Sequence, residues 1–102
     1  MEDDLRKQVV IFKPGRFSLG RLVSTRGAAA TLTTGDIGKA IGRHAGGDCG
    51  DVDEHDWEAN DDAIECGGRL LSVYHAESNG ERFWVITEAD RSATTVLFPS
   101  EY

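Results

Sequence analysis

The stretch Arg82-Phe-Trp-Val-Ile-Thr-Glu-Ala-Asp-Arg-Ser-Ala-Thr-Thr-Val-Leu-Phe-Pro-Ser-Glu-Tyr102 holds two apolar runs, Phe83–Thr87 and Thr94–Phe98, around a polar link, Glu88–Ser92. Both runs are rich in aromatic and β-branched residues and have the length of strands rather than helices. Trp84 and Ile86 fall on one side of the first run and Phe83 and Val85 on the other, so both of its faces are apolar. That pattern belongs to a central strand. Upstream, Arg69–Glu77 reads as a third strand, with Leu71 and Val73 on one face and Leu70, Ser72 and Tyr74 on the other. Ser78-Asn79-Gly80 between two strand patterns marks a tight hairpin. The three strands therefore form an antiparallel meander.

Ahead of the meander the periodicity changes. Asp53 is placed to N-cap a helix over Glu54–Cys66, with acids in its first turn and Gly67-Gly68 as its stop. Trp57, Asn60 and Ile64 recur at helical spacing and form its inner side. Asp36 is placed to cap a helix over Ile37–His44, and Gly27–Thr33 supplies a shorter one. Phe17–Ser24 and Val9–Phe12 read as strands, and residues 1–8 as a charged terminus that frays. The expected fold is a single α+β domain over residues 1–102. It has a curved antiparallel sheet of about four or five strands, with two or three helices packed against one face. Trp57, Ile64, Leu71, Val73, Phe83, Val85, Val96 and Phe98 are expected to be mostly buried. Trp84 and Ile86 decide whether the second face is covered.

Composition narrows the function classes. The 102 residues suffice for one core, and no apolar run approaches the roughly 18 residues that span a bilayer. The charged start, Met1-Glu-Asp-Asp-Leu-Arg-Lys7, lacks a signal core, so a cytoplasmic protein is expected, with Cys49 and Cys66 reduced. The net charge of −7 is divided unequally: residues 1–47 carry +4 and residues 48–102 carry −11. An acidic chain repels phosphate backbones, which disfavours direct nucleic-acid binding.

Three constellations bear on chemistry. The acidic stretch Asp48–Glu65 has nine carboxylates in eighteen residues and no Lys or Arg. Asp48, Asp51, Glu54, Glu58, Asp61, Asp62 and Glu65 could present carboxylates as a nucleic acid presents phosphates, because helical positions three or four apart stand about 5–6 Å from one another. The plain alternative is a solvated face that keeps the protein soluble. A second set, His44, Arg69, Glu88, Arg91 and Thr94 or Thr95, contains the base, acid and cations that metal-independent RNA cleavage needs. Its plain alternative is a salt-bridged turn with threonines paired across strands. In the third, His44, Asp48, Cys49, Asp51 and His55 are ligand types, but their spacing matches no zinc pattern. No metal or other cofactor is expected. The serines lack a nucleophile elbow, and Gly46-Gly47 lacks the Lys-Ser/Thr of a phosphate loop.

The pieces His44-Ala-Gly-Gly-Asp-Cys-Gly-Asp51, Arg69-Leu-Leu-Ser-Val-Tyr74 and Trp84–Tyr102 together resemble a family of small bacterial proteins carried on plasmids, prophages and genomic islands. Members are labelled plasmid-related proteins, and some a restriction-methylase subunit, which a chain of this length does not support. The resemblance spans residues 17–102, with Cys49 standing where an aromatic is expected. It implies a mobile-element context. Joined to the charge pattern, this leads to the expected function: a non-catalytic acidic protein whose partner is a protein with a basic surface. A host nucleic-acid-binding defence complex, met in anti-CRISPR or anti-restriction fashion, is such a partner. The alternative is a small ribonuclease or toxin using His44, Glu88 and Arg91.

Overall fold

A computed structural model describes residues 15–102. The readings of residues 1–8 and Val9–Phe12 lie outside the described residues. The elements are β1 (Arg21–Ser24), α1 (Arg26–Thr31), α2 (Thr34–Ala45), α3 (Glu54–Cys66), β2 (Leu70–His75), β3 (Arg82–Thr87), β4 (Ala93–Leu97) and a closing 3-10 turn (Pro99–Glu101). The fold is α+β, with four strands in the order β1-β4-β3-β2 and three helices.

The meander is present: β2 pairs antiparallel with β3, and β3 with β4. The sheet as a whole is mixed, because β1 joins β4 in parallel, Arg21 opposite Ala93 and Ser24 opposite Val96. Local signals cannot show this pairing, since its partners are so far apart in sequence. The strand expected over Phe17–Ser24 is only Arg21–Ser24. Gly20, at φ +64°, turns the chain just before it, and a Cβ there would stand 2.3 Å from the Arg91 carbonyl oxygen.

One face of the sheet carries Leu70, Ser72 and Tyr74 of β2, Phe83, Val85 and Thr87 of β3, and Thr94 and Val96 of β4. Phe83, Val85 and Val96 pack there with Tyr74, Ala28 and Leu32, and with Ala40 of α2. Burying each large apolar side chain stabilises the fold by about 1.5–3 kcal/mol. The helices α1 and α2 cover this face, while α3 flanks the β2 edge. Leu71 is a correction. It lies on the opposite face and is exposed, whereas Val73 beside it is buried. Apolar residues on both sides of β2 leave its inward face undecided by sequence, and packing of α2 selects the Leu70 side. Trp57 and Ile64 are half-buried rather than mostly buried, because α3 flanks the β2 edge, and Phe98 is half-buried just past the end of β4.

Capping accounts for the helix starts. Thr33, not Asp36, caps α2: its hydroxyl accepts from the Asp36 N–H, and the Asp36 carboxylate accepts from the Thr33 N–H. Asp36 is thus the reciprocal member of a capping box. It also accepts from Ser78 Oγ in the hairpin at 2.5 Å, and these bonds pull its pKa down to about 2. A six-residue helix such as α1 is too short to persist alone. The Glu101 carboxylate holds it by accepting from Thr25 Oγ1 (2.6 Å), the Gly27 N–H (2.9 Å) and the Phe98 N–H (2.9 Å).

Candidate functional site

The acidic helix α3 is anchored at three points. At its start, Asp53 Oδ1 accepts from the Asp56 N–H at 2.8 Å. In its middle, the Asn60 side chain acts as a short piece of strand: Nδ2 donates to the Leu71 carbonyl at 2.6 Å, and Oδ1 accepts from the Leu71 N–H at 3.2 Å. Just before the helix, Gly50 bridges Val73, so the outer edge of β2 is bonded by Cys49–Asp51 and Asn60 together. Gly50 sits at φ +75°, and any Cβ there would meet the Val73 carbonyl oxygen at 2.1 Å. At the far end, Arg91 donates to the carbonyls of Ala63 (2.9 Å), which also accepts the capping Gly67 N–H, and of Gly68 (2.5 Å) just past the helix. Arg91 itself takes φ +61°, a conformation that non-glycine residues adopt at a cost of order 1 kcal/mol.

This anchoring fixes which acids face water. Glu54, Glu58, Asp62 and Glu65 are exposed, and none makes an ion pair with a described residue. Asp61 is half-exposed, with Arg16 at 3.7 Å. The two loop acids differ from the helical ones. Asp48 is held by both Arg43 Nε (2.8 Å) and Nη2 (3.2 Å), which lowers its pKa. Asp51 accepts from His75 at 2.9 Å, and that bond lowers its pKa. The expected strip is therefore continuous along α3 and partly neutralised in the loop before it.

The members of the nuclease-like set are engaged with partners inside the protein. His44 is buried, at 2% exposure, and both ring nitrogens are engaged: Nδ1 with Ser72 Oγ at 2.6 Å and Nε2 with Thr87 Oγ1 at 2.8 Å. Thr87 Oγ1 continues to Thr94 Oγ1 at 2.6 Å, and Thr94 donates to the Leu19 carbonyl at 2.7 Å. Burial lowers the His44 pKa to about 4, so the ring is neutral at pH 7. Phe17 stands edge-on to His44, ring centroids 5.3 Å apart, and Arg91 lies over the same Phe17 ring at 5.5 Å. Arg91 is spent on backbone carbonyls, and Glu88 faces Arg69 at 3.6 Å. Thr95 lies on the opposite face of β4 from Thr94. Sequence reasoning did not single out Ser72 or Thr87. The available signal was a hydroxyl at an inward strand position, which demands a buried polar partner.

Among the described residues, no group of three or more His, Cys, Asp or Glu gathers as a metal site. Cys49 is buried, which raises its pKa and keeps the thiol protonated, and Cys66 is exposed. No described helix is long and apolar enough to cross a membrane. Compared with protein-family models, curated proteins and solved structures, the chain matches none.

Proposed function

We propose that the protein is a non-catalytic binding module of a mobile element, which sets the acidic outer face of α3 against a basic, nucleic-acid-binding site on a host defence complex. The observation that carries this reading is the row Glu54, Glu58, Asp62 and Glu65, spaced by four and three residues and exposed on a helix held at both ends and in its middle. Such neighbours stand about 5–6 Å apart. A row of carboxylates on a rigid support is the geometry that an imitation of a phosphate backbone requires. The mobile-element context comes from the family resemblance. The cleavage reading has less support, since His44 offers neither nitrogen to a substrate and both terminal nitrogens of Arg91 are bonded to backbone carbonyls.

The test is a double charge reversal, Glu58→Lys with Asp62→Lys. Exposed charges contribute little to stability, so folding should be almost unchanged. Partners captured from a host lysate at low salt should be purified and their association kinetics measured against parent and variant. Association of the variant should slow and lose its salt dependence, because such a field acts mainly on encounter. Capture of no partner at either low or high salt, or equal and equally salt-sensitive binding by the variant, rejects the proposal.

A further inference from the structure

The face of the sheet away from α1 and α2 has a cleft of about 240 Å³, lined by Arg69, Leu71, Trp84, Ile86 and Tyr102. Three observations set it apart from ordinary surface. Leu71 and Tyr102 are large apolar side chains left exposed, at 37% and 68%. Trp84 and Tyr102 form an edge-on aromatic pair with centroids 5.7 Å apart. The Trp84 indole N–H is buried without an acceptor among the described residues. A buried donor left unpaired costs about 1–3 kcal/mol, so it calls for an oxygen that the described residues do not supply.

We propose that this cleft anchors an extended segment of a partner protein, which inserts an apolar side chain beside Leu71 and Trp84 and gives a backbone carbonyl to the indole N–H. The Tyr102 ring is the movable wall. It stands over Trp84, is mostly in water, and is held by its contact with Arg69, whose guanidinium donates to the Tyr102 hydroxyl and lies 5.1 Å from the ring centroid. Swinging it aside opens the approach to the indole. Charge complementarity sets the flanks of the segment. Arg69 is offset by Glu88 at 3.6 Å, and residues 48–102 carry a net −11. Cations beside the apolar anchor are thus favoured and carboxylates opposed. The cationic flanks rest on the acidic-face reading, whereas the apolar anchor does not. A small desolvated pocket with an aromatic wall is the kind of place where interfaces concentrate their affinity.

The probes are four capped peptides: N-acetyl-phenylalanine amide, N-acetyl-serine amide, N-acetyl-lysyl-phenylalanine amide and N-acetyl-glutamyl-phenylalanine amide. The readout is the Trp84 indole N–H resonance, assigned by its persistence when Trp57→Phe removes the other indole signal. The phenylalanine amide should shift this resonance downfield and saturate, while the serine amide leaves it in place. Leu71→Asp, at an exposed position, should weaken binding about tenfold. The lysyl peptide should bind several-fold more tightly than the glutamyl one, a difference that added salt erases. An indole resonance that ignores the phenylalanine amide, or responds equally to serine, overturns the anchor. Equal binding of the lysyl and glutamyl peptides leaves the anchor standing and overturns the basic flanks alone.

Discussion

The His44 network and the outer face of α3 are both dense in polar groups, and they are treated in opposite ways. Inside, His44, Ser72, Thr87 and Thr94 pass hydrogen bonds from one to the next until the Leu19 carbonyl closes the chain. Outside, Glu54, Glu58, Asp62 and Glu65 are left to water. A buried polar group must be paired or it destabilises, so the first set specifies one arrangement of α2, β2, β3, β4 and the segment before β1. Exposed carboxylates are solvated whatever the fold does, so the second set is free to be read by a partner. Substitutions should separate the two: inside they change stability, outside they change encounters.

The largest expected effect follows from His44→Ala. It leaves a cavity, strands the Ser72 hydroxyl and takes one of two partners from Thr87, and should cost about 3–5 kcal/mol. Urea denaturation followed by far-UV circular dichroism measures it. A loss below the uncertainty of the extrapolation would mean that the network specifies nothing.

Acidification probes the same network from another side. The folded pKa of His44 is about 4, below the usual 6.5, so between these values the unfolded chain binds the extra proton. Stability should then fall as pH drops from 6.5 towards 4, by at most about 3 kcal/mol. Asp36, held near 2, contributes in a separate window, its stabilisation present above pH 3.8 and lost as pH falls towards 2. Thermal melts across pH 7 to 3 should show both slopes, and His44→Gln should abolish the upper one alone. A slope between pH 6.5 and 4 that survives in the variant assigns it to other groups.

Asn60→Ala lies between the two regions. Leu71 loses both bonds to the side-chain amide, at about 1–2 kcal/mol, and the middle of the β2 edge is bared. Concentration-dependent association, seen by light scattering, should accompany the loss, because unpaired edges invite other strands. The smallest effect belongs to the acids: Glu54→Gln with Glu65→Gln should shift stability by no more than about 0.5 kcal/mol. A larger destabilisation would show that the outer face is tied to the fold after all.

What could be read from the sequence followed the range of the interactions. The Asp53 cap, the Gly67 stop and the three meander strands are short-range signals, and each formed within a residue or two of its expected bounds, while the hairpin at Asn79-Gly80 is a longer link over residues 76–81 rather than a tight turn. Helical spacing puts Asn60 on the inner side of α3 but cannot tell a core contact from an amide bonded to a strand edge. Residue type alone offers His44 as a base or a ligand. Its partners, Ser72 and Thr87, lie 28 and 43 residues away, and nothing near His44 announces them. The acids of α3 were the reverse case. Once the helix and its inner side were set, their exposure followed from geometry alone.

The parallel seat of β1 against β4 has a consequence for synthesis. The Thr25 N–H donates to the Val96 carbonyl at 3.0 Å across 71 residues. At ~5–20 residues per second, β1 leaves the ribosome about 4–14 s before the strand that will hold it. The hairpins of the meander close in microseconds once made, whereas β1 must wait. It is the last strand to be seated, because β4, the strand that pairs with it, is the last of the four to be made.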